Sequence, residues 1–271
     1  MIHPSPKCIL ITGASSGIGY ATAELYLSKN WIVYGLSRSG HVPKGAKSLV
    51  ANINKPEELE KALKNVWTAC QRLDAVVHCA GIGGAGPLEF FPIEEAQKIM
   101  TTNYIGSLNV AQSCLPYLRK QKESSLIFIS SIAGLIGVPF HGVYSASKFA
   151  TEAMVECLRL ELTGSGVKVV SVCPGDTATS IISHQYRSKA ANVPVFYQAN
   201  YTKADNAMRH NVDKGIAPSR VAKTIYAVSL KKYPNVFYLV GDRLQKIAPK
   251  IKRVLPPRLF EYIFKSYYGL K

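Results

Sequence analysis

The chain has 271 residues, 47% hydrophobic and 18% charged, which describes a globular protein with a sizeable core and excludes a disordered chain. Its 33 Lys and Arg outnumber 17 Asp and Glu, and the net charge of +16 raises nucleic acid, anionic membrane and acidic proteins as partners. The first residues form no apolar signal region, no run approaches a membrane span, and the six cysteines lack metal or redox spacing, so a reduced, cytoplasmic protein without a metal is expected.

Residues 7–12 predict a buried strand that runs into Gly13-Ala14-Ser15-Ser16-Gly17-Ile18-Gly19, followed by a helix carrying Ala21, Leu25 and Leu27. A strand, a glycine turn and a helix N-terminus in succession aim backbone N–H groups at a pyrophosphate. The second strand, 31–36, ends at Ser37 and Arg38. Sites for NAD usually offer an acid here to bind the ribose hydroxyls. This chain offers an Arg instead, which can hold a 2′-phosphate bidentately, so NADP(H) is the expected cofactor. A third strand at 48–51 precedes a helix opened by Pro56-Glu57-Glu58. The fourth, 74–79, ends at Ala80-Gly81, and its His78 and Cys79 read as packing residues.

An apolar helix is predicted through 101–106 to Leu118, and Asn103 inside it is costly unless its amide is used. The run 126–129 leads into a loop holding Ser131. Tyr144 and Lys148 then stand at i and i+4 on a helix signalled by Ala146, Ala150, Ala153, Met154, Leu158 and Leu162, and ended by Gly164 and Gly166. A free phenol ionises near pH ~10; the Lys148 ammonium and the helix dipole are expected to lower Tyr144 by about two to three units. Ser131 can hold a substrate oxygen while Tyr144 exchanges a proton with it.

A strand at 167–173 ends at Pro174-Gly175. From 180 to 215 no clear period appears, and so long a segment is expected to be a lid, its Tyr186, Phe196, Tyr197 and Tyr201 suiting an apolar substrate. A helix at 218–230 and a strand at 236–240 complete the alternation.

Over residues 7–241 this sequence resembles the short-chain dehydrogenase/reductase family. Gly13, Gly17 and Gly19 match its Thr-Gly-x-x-x-Gly-x-Gly turn, Ser130-Ser131-Ile132-Ala133-Gly134 its serine loop, and Tyr144 and Lys148 its Tyr-x-x-x-Lys pair, thirteen residues after Ser131. Pro174-Gly175-Asp176-Thr177-Ala178-Thr179 matches its Pro-Gly-x-x-x-Thr. The resemblance implies an α/β fold: one Rossmann-type doubly wound parallel sheet in a single domain, 1–241, with 242–271 as a basic, aromatic extension. It implies that Lys148 binds the nicotinamide ribose and that Asn103 holds a water linking Lys148 to solvent. Asn52 and Ile53 would border the adenine, where the family has an Asp. Cys79, Ala80 and Gly81 would let backbone approach the cofactor, although His78-Cys79 replaces the family's Asn-Asn. Pro174, Gly175, Thr177 and Thr179 would meet the carboxamide or pyrophosphate, with Thr177 in place of an apolar residue.

The expected function is therefore NADP(H)-dependent interconversion of a carbonyl and an alcohol on a lipophilic substrate such as a steroid, retinoid or fatty aldehyde or ketone. Asn103, Ser131, Tyr144 and Lys148 are the catalytic set. A 3-oxoacyl chain on an acidic carrier protein is the alternative substrate, and a non-catalytic dinucleotide sensor is disfavoured by the complete set of four. No nucleic-acid module is present. A dimer or tetramer is expected. Eight of the basic residues lie in 243–271 against one acid, Glu261. Past Pro256-Pro257 a helix is predicted with Leu259, Ile263 and Tyr267 on one face, widened by Phe260, Phe264 and Tyr268. That stripe suits packing on its own domain or another subunit, or an anionic membrane surface.

Overall fold

The computed structural model describes residues 6–179 and 185–270. Its main sheet holds β1 (Cys8–Thr12), β2 (Ile32–Ser37), β3 (Lys47–Val50), β4 (Ala75–His78), β6 (Ser124–Ile129), β7 (Val167–Pro174) and β9 (Phe237–Val240). All seven are parallel, in the order β3-β2-β1-β4-β6-β7-β9. Both faces are covered, so the central strands are continuous apolar runs. In β1 every residue is buried. Cys8 and Leu10 join one core with α2 (Pro56–Cys70) and α4 (Gly106–Leu118), whereas Ile9 and Ile11 join another with α1 (Gly17–Leu27) and α7 (Pro218–Ser229). This is the Rossmann-type, doubly wound sheet that the motifs imply.

Strand order reverses between β1 and β4, which opens a crevice at the carboxyl ends of the strands. The loops after β1, β4, β6 and β7 and the starts of α1 (Gly17–Leu27) and α5 (Gly142–Glu161) carry most of the predicted site residues, while Ser37, Arg38, Asn52 and Ile53 follow β2 and β3.

Two stretches take forms that the sequence pattern does not show. The helix predicted through Asn103 is α3 (Ile93–Met100), then one π-type turn, Thr101–Ile105, then α4. The 180–215 segment is structured where described, residues 180–184 lying outside the described set. Tyr186–Arg187 forms β8, paired with β5 (Gly84–Ala85), and Val195–Asp213 forms the nineteen-residue α6. Its buried face is narrow, Tyr201, Ala204 and Val212, so the period is drowned by polar neighbours and by the exposed Val195 and Phe196.

Candidate active site

The β1–α1 turn is built around close backbone approach. Gly13 and Gly17 have φ of +67° and +54°, which glycine adopts without a Cβ penalty. A Cβ on Gly13 would come within 2.8 Å of the Ala80 nitrogen, and one on Gly19 would strike the Gly13 carbonyl oxygen. Ser15 flanks this turn, and Ser16, the extended N-cap of α1, makes no side-chain cap, leaving the hydroxyl and the first-turn amides for a ligand. Thr179 hangs over the turn, 3.1 Å from where a Gly17 Cβ would lie. These residues fit a dinucleotide pyrophosphate. The end of β2 abuts the same turn, Gly13 N donating to the Leu36 carbonyl at 2.8 Å. There Ser37 Oγ accepts from Gly40 N at 3.0 Å, and the exposed Arg38 has no ion pair among the described residues. Asn52 Oδ1 accepts from Asn54 N at 3.1 Å, while the Ile53 side chain is core and its carbonyl is held by Asn109 at 3.0 Å.

Beside this cradle lie the reacting groups. Ser131 caps the short turn Ile132–Gly134, accepting from Ala133 N at 3.1 Å. Tyr144 and Lys148 occupy the start of α5 (Gly142–Glu161), with the ammonium 5.9 Å from the phenol ring centre. Lys148 is buried and donates to the Ile129 carbonyl at 2.9 Å. Burial lowers its pKa to about 8, opposed by Glu152. The expected depression of Tyr144 is not found. Burial holds the phenol above its ordinary value, and the hydrogen bond to Ser131 offsets this only in part. The physical reason is that desolvation outweighs a cation whose protons are directed to a carbonyl.

Asn103 lies behind Gly81, its Oδ1 3.2 Å from where a Gly81 Cβ would be. Its amide bonds the Ile82 backbone in both directions at 2.8 Å and donates to Ser147 Oγ at 2.9 Å. It thereby ties the loop after β4 to α5, one residue ahead of Lys148. The π-type turn aims this side chain inward.

A cavity of about 320 Å³ joins these groups. Ile18, Cys79, Gly81, Ser131, Tyr144, Lys148, Pro174, Gly175, Thr177 and Thr179 line it; Ser37, Arg38, Asn52 and Ile53 do not. The aromatic residues assigned to the lid do not line it either. Tyr186 packs on Phe91, Tyr197 bonds Glu89, Tyr201 bonds the Ser188 carbonyl, and Phe196 is exposed. Met208 and Val212 of α6 line it instead, and the roof comes from the tail. Leu244, Ile247, Ala248 and Ile251 of α8 (Arg243–Val254) and Phe260, Ile263, Phe264, Tyr267 and Tyr268 on or beside α9 (Pro257–Tyr267) all face it.

Sequence reasoning passed over two acids. Glu152 follows Lys148 by four residues, a spacing that marks the face. It is buried, accepts from Ser171 Oγ at 2.8 Å, and burial raises its pKa. Asp176 sits inside the Pro-Gly-x-x-x-Thr motif, lines the cavity, and burial with the nearby Asp242 lifts its pKa to about 6.

The family described as short chain dehydrogenase matches residues 7–191. A 3-ketodihydrosphingosine reductase of Bacteroides thetaiotaomicron is 33% identical over 268 residues, 98% of this chain and 99% of its own. An NADPH-dependent 3-dehydrocapnine reductase of Ornithobacterium rhinotracheale is 29% identical, covering 97% of this chain and 96% of its own. The crystal structure of a short-chain dehydrogenase from Streptomyces avermitilis superposes with a TM-score of 0.82 at 23% identity, over 99% of this chain and 100% of that one, a likeness of fold.

Proposed function

The chain belongs to the short chain dehydrogenase family, and on that premise we propose that it reduces the ketone of a long-chain lipid with NADPH. One observation carries the reading: Ser131, Tyr144 and Lys148 meet at the floor of a cavity whose upper walls are apolar side chains of α6, α8 and α9. A polar reacting end and an apolar enclosure together suit a carbonyl on a hydrocarbon chain.

The roles follow from the chemistry of each group. Ser131 Oγ donates to the substrate oxygen and holds it beside the phenol. Tyr144, a phenol protonated at neutral pH and raised further by burial, gives that oxygen its proton. Lys148, mostly cationic at neutral pH, stabilises the phenolate left behind and hydrogen-bonds the ribose. A bound nicotinamide supplies the hydride. Arg38, with no acid beside it, favours the 2′-phosphate of NADPH. Two relatives are named as reductases of 3-ketodihydrosphingosine and of 3-dehydrocapnine, the second as NADPH-dependent, which supports a long-chain ketone and NADPH here.

The test is consumption of NADPH and of NADH with 3-ketodihydrosphingosine, a short methyl ketone and a 3-oxoacyl carrier-protein thioester. The expected result is turnover of the lipid ketone with NADPH at least tenfold better than with NADH. Turnover of the thioester with none of the lipid ketone overturns the substrate class.

A further inference from the structure

We infer that Asp176 selects an ammonium group borne on the carbon beside the substrate carbonyl, so that the site takes a long-chain α-amino ketone; this rests on the ketone-reductase reading above. Asp176 lines the cavity two residues past Pro174, whose carbonyl accepts from Ser131 Oγ at 3.5 Å. Ser131, Tyr144 and Lys148 line the same cavity, as do Tyr267 and Tyr268, so Asp176 shares one enclosure with the reacting groups and the aromatic roof. An amine one carbon from the carbonyl would lie within that enclosure, where Asp176 is an acid on its wall.

The electrostatics point the same way. The chain carries a net charge of +16, yet neither Asp176 nor the neighbouring Asp242 makes an ion pair among the described residues. Among the described residues Lys148 is the one Lys or Arg that lines the cavity, and it donates to the Ile129 carbonyl. A half-buried carboxylate without a protein cation costs stability, and a ligand cation would remove that cost. One carboxylate oxygen, Oδ2, accepts from Gln245 Nε2 of α8 at 2.6 Å, and Gln245 N is in turn bonded by Asp242 at 2.8 Å. The hydrogen bond orients the carboxylate and leaves its charge uncompensated.

A purely structural Asp176 would anchor α8 through Gln245 and have no effect on which ketone is preferred. Asp176→Asn keeps an acceptor for Gln245 and removes the charge. The experiment measures kcat/KM with saturating NADPH for 3-ketodihydrosphingosine and for its analogue bearing a hydroxyl in place of the amine. The wild-type protein should prefer the amine. Asp176→Asn should lower the amine-to-hydroxyl ratio about ten- to a hundredfold, mainly through KM, the loss expected for a charge-assisted contact. Asp176→Glu should restore most of that ratio, and thermal melts establish that both variants are folded. Equal efficiency on the two ketones, or a ratio unchanged in Asp176→Asn, overturns the inference alone. No NADPH consumption with either ketone removes the reductase reading and the inference with it.

Discussion

Tyr144 and Lys148 share a helix face, as their spacing shows, but the spacing carries no information about solvent. Burial is a property of the whole pocket, and here it raises the phenol above its ordinary value. The spacing was legible; the sign of the shift was not. Tyr144→Phe keeps the ring and removes the proton, so NADPH binding should persist by fluorescence titration while kcat falls by about 10²-fold or more. Near-normal turnover in that variant would show that another group donates the proton. Asp176 gives a prediction in stability rather than rate. Its folded pKa of about 6 lies above the ordinary 3.8, so ionisation opposes folding. The fold is unpenalised below about pH 4 and loses stability as pH rises towards the folded value. Asp176→Asn should therefore gain about 1–3 kcal/mol over wild type near pH ~8, allowing for partial exposure, and nothing near pH ~4. Urea titrations at the two pH values measure this, and an equal gain at both would separate it from the charge. At Arg38, Asp should lower NADPH affinity about ten- to a hundredfold and raise NADH affinity, because repulsion of the 2′-phosphate replaces attraction. Competition binding with the two cofactors decides it.

Elements were readable where one residue type has one physical use. The β1–α1 turn is such a case, because positive φ at Gly13 and Gly17 and the contact of Gly19 with the Gly13 carbonyl leave no room for a side chain. Gly19→Ala should therefore displace the turn, at about 1–3 kcal/mol of overpacking, and weaken NADPH binding by more than about tenfold. Unchanged far-UV circular dichroism with lost binding is the expected pairing; retained binding would mean that the turn can relax. The π-type turn at Asn103 and the helix α6 show the opposite case. The amide of Asn103 called for a partner, but that the partner is Ile82 depends on where β4 ends. The apolar positions of α6 that matter, Tyr201, Ala204, Met208 and Val212, fall about one per turn, too sparse a signal to stand out.

At the scale of the molecule the tail is the instructive part. Its helix after Pro256-Pro257 and the apolar stripe could be read from spacing, but not the surface that receives the stripe, since that depends on how β7, β9 and α6 end together. The structure places Phe260, Ile263, Phe264, Tyr267 and Tyr268 against the cavity of their own chain. Lys252 Nζ bonds the Leu135 carbonyl at 2.9 Å, and Asn211 Nδ2 bonds the Tyr267 hydroxyl at 3.4 Å, which fasten α8 and α9 to the body. Gly13, Gly17 and Gly19 of the dinucleotide turn, and Ser37 and Arg38 beside it, do not line this roofed cavity. Deleting residues 256–271 should thus leave NADPH affinity within a few-fold while unroofing the hydrocarbon site. Each methylene left in water forfeits about 0.8 kcal/mol, so losing contact with three or four should cost roughly 10²-fold in kcat/KM for a long-chain ketone. A short methyl ketone, which never reaches the roof, should lose far less. The decisive quantity is the ratio of the two efficiencies before and after truncation. A proportional loss for both ketones would mean that α9 supports the fold and does not hold the chain.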